Sequence, residues 1–371
     1  MKRRNFFTIA GGTLIATAGA SLLLMDKRIY SREDMKPNDL QNISFKPNEK
    51  GILHLASMAP SGHNAQPWFV KYLEPYHWII CSDKSRWLPA VDPTQRETIL
   101  SIGAFIQNME YAANSLGYLC EFNVVALSNQ DQDIVKVKLV KASDTQNFDV
   151  QKIINRRTVR SNYLSDTLKK SDLHYLVDDQ ADFMTYFPNT SQEHGRLNEQ
   201  TIEANRIQAY RDAAESELAD WIRFSRKDAE QHADGLTMAS MEIEGIAGWI
   251  LRNFYSKKDV MKKNFRDKSI DTAVEQVSKS AGWLVITSKD NSVATLLDTG
   301  KRFQRLLLKI RERNIAIHPM TQILEEPETK KSVNQSIGIT DTIQFILRTG
   351  YLKKYPDPVS LRRQVESFVH V

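Results

Sequence analysis

The stretch Met58–Val70, MAPSGHNAQPWFV, decides how the chain is read. Four polar side chains, Ser61, His63, Asn64 and Gln66, stand within six positions between rigid or large apolar neighbours. Such a run does not read like ordinary core or ordinary loop. Its surroundings read more simply. Ile52, Leu53, Leu55 and Ala56 give helical spacing over 49–58. WFVKYLE and HWIICSD, rich in aromatic and β-branched residues, read as a strand pair. Asp92-Pro93 opens a helix that runs to Gly117, with Ile99, Ile102, Phe105, Ile106 and Met109 on one side. CEFNVVAL and DIVKVKLV read as two further strands. Residues 47–142 thus form a helix–strand–strand–helix–strand–strand unit.

A second unit begins near Val150. DVQKIINRRTVRSNYL reads as a helix entering a basic turn, and about 190–270 reads as highly charged and mostly helical. AGWLVITSK is a strand, NSVATLLDTGKRFQRLLLKIRERN a long amphipathic helix, IQFILRTGY a late strand, and YPDPVSLRRQVESFV a partly extended tail. The amphipathic stretch EIEGIAGWILRNFY is read as a helix face packed on a core. The two units share a rough order of elements.

The 371 residues suffice for one large or two moderate domains. A hydrophobic content of 41% and a charged content of 26% are ordinary for a globular protein. A net charge of only +5, with no concentrated basic tract, argues against a nucleic-acid surface. Cys81 and Cys120 form no CxxC pair and read as two buried thiols, with one disulfide as the alternative. No GxGxxG, P-loop, HExxH or GxSxG motif occurs, and the eight histidines are scattered. A nucleotide fold, a metal site and Ser-His hydrolysis are therefore not expected. MKRRNFFTIAGGTLIATAGASLLLM has a basic head and an apolar run, the layout of an export signal. Arg3 and Arg4 resemble the twin-arginine signal of bacteria. Residues 1–25 are read as a signal or membrane anchor, cleaved or retained, and 26–46 as a linker.

APSGHNAQPW resembles the Pro-Ser-x-x-Asn-x-Gln-Pro-Trp signature of the nitroreductase family of FMN-dependent oxidoreductases. Arg156, Arg157, Thr158 and Arg160 are similar to that family's arginine motif. Pro319, Met320, Thr321 and Gln322 stand where its loop over the flavin N5 is expected, although Thr-Gln replaces the usual Glu-Gly. Arg362-Arg363 resemble its basic C-terminal pair. The motif order departs from the usual member, with one motif in each half, and so resembles the two-lobed Acg-type subgroup. The resemblance implies an α+β, nitroreductase-like pseudo-dimer of two tandem lobes, each a mixed, mainly antiparallel sheet packed with helices. The lobes are placed at 47–145 and 146–371, the second with a helical insertion at about 190–270.

By the same resemblance one FMN lies between the lobes. Arg156, Arg157 and Thr158, with Arg362 or Arg363, hold its phosphate, and Arg160 tunes N1 and O2. Pro60, Ser61, Gly62, Asn64 and Gln66 approach the ribityl chain or ring edge, while Pro319, Met320, Thr321 and Gln322 pass by N5. No side chain is expected as nucleophile, since the flavin carries the chemistry. The implied activity is two-electron transfer from a donor such as NAD(P)H to a nitro, quinone or related acceptor. An FMN-sequestering protein with a covered flavin, and a non-flavin periplasmic binding protein, stand as alternatives. The expected partners are a small-molecule donor and acceptor and the twin-arginine translocase, with the chain a monomer in the periplasm.

Overall fold

Two sheets with the same strand order frame the molecule, a computed structural model that describes residues 45–371. The expected signal segment and nearly all of the linker lie outside the described residues. In the first lobe the chain runs through α1 (Glu49–Ser57), β1 (Trp68–Glu74), β2 (His77–Ser82), α2 (Arg96–Asn114), β3 (Tyr118–Val124) and β4 (Asp133–Lys141). In the second it runs through β5 (Met184–Pro188), α3 (Gln192–Tyr210), α4 (Asp212–Trp221), α5 (Lys263–Ser278), β6 (Gly282–Ser288), α6 (Val293–Lys309), β7 (Ile315–Pro319) and β8 (Thr342–Tyr351), and ends in β9 (Val369–His370). The sheets read β9-β1-β2-β4-β3 and β5-β6-β8-β7. In each lobe the first two strands are antiparallel, a long helix links the second to the third, and the fourth inserts between them. The fold is α+β, and the sheets are antiparallel except for β9, which pairs parallel to β1.

α2 and α6 form the seam between the lobes. Gly103 and Gly300 meet there. A Cβ at Gly103 would lie 2.3 Å from the Leu297 carbonyl oxygen, and one at Gly300 would lie 2.1 Å from that of Leu100. Only hydrogen side chains allow this backbone approach. One turn further along, Gln304 Nε2 donates to Asn108 Oδ1 at 2.7 Å, and both residues are fully buried. Around this seam a single apolar core includes Ile102, Phe105, Leu296, Leu306 and Leu347, and so joins both sheets. Trp68 packs inside it, with its ring 5.1 Å from that of Phe105.

The strands that the sequence leads one to expect are present, with small shifts at their ends. Two segments differ. NIAIHPMTQ, for which no strand was expected, holds β7 ahead of the expected flavin loop, because Ile315 and Ile317 bury beside β8. The tail continues into β9, where Val70 N donates to Phe368 O at 2.7 Å and the open edge of β1 is covered. Both cysteines are free thiols.

Candidate functional site

The polar run before β1 is shaped by left-handed backbone. His63, Asn64 and Gln66 all have positive φ, at 48°, 53° and 53°. Non-glycine residues in this region are strained by about 1–3 kcal/mol each unless their surroundings hold them. Here the surroundings do. Gln66 N donates to Ser61 Oγ at 2.9 Å. Asn64 Nδ2 donates to the carbonyls of Gly235 and Leu361, each at 3.1 Å, and Gln66 Nε2 to that of Ala233 at 3.1 Å. The segment is thereby tied to the tail and to the helical region between β5 and β6.

The tail arginines, expected near the phosphate, complete this tie. Arg362 donates to Asn64 Oδ1 and to the carbonyls of Met58 and Ala59, at 2.8, 3.1 and 3.0 Å. Arg363 donates to the carbonyls of Gln66 and Trp68, and its N–H donates to Gln66 Oε1 at 2.9 Å. Both are buried. A buried guanidinium requires a nearly full set of acceptors, and the irregular backbone of 58–68 supplies them. Asn64 and Gln66 bond the backbone of the helical region and the tail residues Arg362 and Arg363.

The basic turn follows the short helix Gln151–Ile154. Arg156 is buried and donates to Met58 O at 3.2 Å, away from the main cavity, beside a smaller one that Asn155, Arg311 and Tyr355 also line. Arg157 donates to Asp357 O at 2.6 Å and meets Glu242 Oε1 at 3.3 Å. Glu242 also accepts from the Arg160 N–H at 3.0 Å and from the Ser161 hydroxyl. Arg160 Nη1 donates to Ser240 O at 2.6 Å. One carboxylate from the helical region therefore clamps the turn. Met320, expected at the flavin loop, instead buries its side chain in a core cluster while its N–H donates to Ile346 O at 2.9 Å.

The remaining expected residues converge. Pro60, Ser61, Gly62, Thr158, Arg160, Pro319, Thr321 and Gln322 all line one cavity of about 320 Å³. Leu88, Leu100, Ala104, Phe303 and Phe345 give it apolar walls. Gln208, Glu215 and Leu218, from α3 and α4, close it from the helical region. A concave, mostly apolar space with a few converging polar groups is the form of a small-molecule site.

His63 and His318 face this space without having been expected as ligands. Burial, reinforced by the nearby Arg160 charge, pushes His63 down to about 4 and His318 well below its usual range. Both are neutral near pH 7, so each ring offers one donor and one acceptor. His63 Nε2, His318 Nδ1, Gln322 Oε1 and Glu215 Oε1 are buried without a hydrogen-bond partner. These four atoms around one cavity are free to pair with a polar ligand. Only His63 carried a sequence signal, through its place in the opening stretch. His318, Glu215 and Glu242 are scattered in sequence, and only folding gathers them.

Comparison with known proteins follows this geometry. No family profile matches the chain. "Probable NAD(P)H nitroreductase PigM" of Serratia sp. is 21% identical over 340 residues, covering 86% of this chain and 93% of the relative. "Putative NAD(P)H nitroreductase acg" of Mycobacterium tuberculosis is 25% identical over 341 residues, covering 87% and 95%. A nitroreductase-like family protein from Bacillus cereus superposes with a TM-score of 0.34 at 13% identity, over 62% of this chain and 99% of its own.

Proposed function

We propose, from the premise that this chain belongs to the nitroreductase family in its two-lobed form, that it is an FMN-dependent oxidoreductase. It passes electron pairs from NAD(P)H or a comparable reduced carrier to a small nitro, quinone or related acceptor. The observation that carries this reading is the cavity at the lobe seam, which Arg160 lines together with four residues that carry a buried polar atom without a partner. The ring system fits this donor set. Apolar side chains flank a flat occupant, neutral His63 and His318 offer hydrogen bonds, and Ser61 and Thr158 add hydroxyls. Arg157, expected at the phosphate, and Arg160, expected at N1 and O2, are already engaged by Glu242 and Ser240, so FMN retention requires an exchange of partners at both.

FMN held in this cavity would supply the two-electron chemistry. The chain's own residues do the rest. Arg160 places a fixed cation where negative charge develops. The apolar walls exclude water and strengthen that interaction. The histidines stay uncharged, so the positive charge remains with Arg160.

The test is the visible flavin absorbance of purified protein, followed by anaerobic titration with NADH and NADPH. A flavin near one per chain that bleaches on titration supports the reading, and colourless protein overturns it. A second reading, flavin sequestration, is favoured by the closing of the cavity by α3 and α4. Bound flavin that resists every reductant would select it. Arg160→Ala is expected to lower the flavin's reduction potential, and an unchanged potential removes that role. We also propose folded export by the twin-arginine route to the periplasm, with residues 1–25 as signal or anchor. The basic pair and apolar run support it. Cell fractionation of an Arg3→Lys, Arg4→Lys variant tests it, and undiminished export of flavin-loaded protein overturns it.

A further inference from the structure

The cavity is also lined by three carboxyl groups from three parts of the chain. Glu97 comes from α2, Glu215 from α4, and Glu325 from the short helix Gln322–Glu325 that follows β7. Glu97 leans over Gly62, where its Oε2 would lie 3.5 Å from a Cβ. Glu325 is held by Gln208 Nε2 at 2.6 Å and Thr321 Oγ1 at 2.9 Å. Glu215 is 3% exposed, and its Oε1 has no partner.

Three carboxyls lining one cavity can arise from packing alone. The unpartnered Glu215 oxygen says otherwise, because a buried acceptor without a donor is costly unless a ligand completes it. Leu100, Phe303 and Phe345 line the same cavity with apolar surface. We propose that Glu97, Glu215 and Glu325 form a recognition site for a positively charged group on a flat organic substrate, so that the cavity selects organic cations over anions. This deepens the oxidoreductase reading by naming the charge class of its substrate, and it rests on that reading for the cavity's role.

The surrounding charges are consistent with it. Arg96 pairs with Glu97 at 2.7 Å but also spends Nη1 on Gln344 O, at 2.8 Å. Arg266, near Glu215, pairs with Asp212 at 2.8 Å. Arg211, beside Glu326, pairs with it at 2.6 Å, so that carboxylate does not add to the three. Asp92 and Lys330 lie within electrostatic reach of Glu97. Burial raises Glu215 to about 7, and burial with the Glu97 charge raises Glu325 to about 8. A bound cation would ionise these groups and release the proton that they hold.

The probe is benzamidine, a flat cation, set against benzoate, a flat anion, by calorimetry on the full chain as purified. Benzamidine is expected to bind with proton release, read as heat that changes with the buffer's ionisation enthalpy, and benzoate to bind far more weakly. Glu215→Gln and Glu325→Gln should each weaken benzamidine by about tenfold, the loss of one charge-assisted contact. Thermal melts confirm that each variant folds, and Glu97→Gln serves as a replacement if one does not. Equal binding of benzoate, no effect of the variants, or no benzamidine binding up to about 10 mM overturns the proposal. Benzamidine binding by a colourless protein would overturn the flavin reading and leave this one standing. A yellow, reducible protein that ignores benzamidine would do the reverse.

Discussion

The two lobes differ most between their first and second strands. In the first lobe β1 passes to β2 through Pro75 and Tyr76 alone. In the second, residues 189–281 intervene between β5 and β6, and α3, α4, the helix Gly245–Phe254 and α5 fill them. The strand order nevertheless remains the same in both sheets. A sheet is specified by its buried faces and ladders, and a long excursion from one strand end leaves both intact. The added region instead alters the site. It supplies Glu215 and Gln208 to the cavity, Glu242 to the basic turn, and carbonyls to Asn64 and Gln66. The lesson is that the shared topology builds the seam, and the unshared segment decides what the seam can hold.

The sharpest break of this comparison is at the seam itself. Gly300→Val should destabilise the protein by about 3 kcal/mol or more, because its Cβ would overlap the Leu100 carbonyl. Denaturant unfolding and soluble yield read the effect, and a melting temperature equal to wild type would show that the helices can part at no cost. Next comes Arg362→Ala, which leaves Asn64 Oδ1 and the Ala59 carbonyl without this donor and Met58 O with Arg156 alone. A loss of about 2–4 kcal/mol is expected. If flavin retention falls while stability holds, the tail arginine is a flavin ligand.

pH should sharpen the division between the buried carboxyls and the histidines. Asp92 and Glu215 are raised to about 7 and Glu325 to about 8, chiefly by burial. Carboxyls with raised values favour the folded state below their unfolded values, and that contribution is lost as pH rises through 7 to 8. His63 and His318 act oppositely: their values are lowered, so their contribution is present above about 6.5 and is lost as pH falls towards 4. The melting temperature should therefore decline from about pH 6.5 to 8.5, where only the carboxyls change. The slope should flatten in Glu325→Gln, and an unaltered slope would detach Glu325 from it. The smallest effect belongs to Ser61→Ala, which removes the bond from Gln66 N. About 1 kcal/mol is expected from urea midpoints, and no change would mean that the strained segment is held by Arg362 and Arg363 alone.

Much of this molecule was legible before folding. Periodicity marked α2, α6 and most strands, because each buries one face whose spacing the chain itself records. The opening stretch was legible as a loop of unusual chemistry, and MAPSGHNAQPWFV carries four of the cavity's lining residues, Pro60 to His63. The basic turn at 156–160 was legible as charge, and Arg160 and Thr158 line the same cavity. What could not be read was direction. Arg362 and Arg363 look like Arg157 in sequence, yet their burial against an irregular backbone turns them inward. Asn64 and Gln66 look like ligand-binding amides, and positive φ turns them towards a tail and an insertion far away in sequence. Glu97, Glu215 and Glu325 carry no common pattern, since they lie on separate elements that only the seam brings together. Local patterning thus determined which elements form, because a buried face is a property of neighbouring residues. Tertiary structure alone decided which polar groups face one another, because every buried donor and acceptor must find a partner wherever the chain returns.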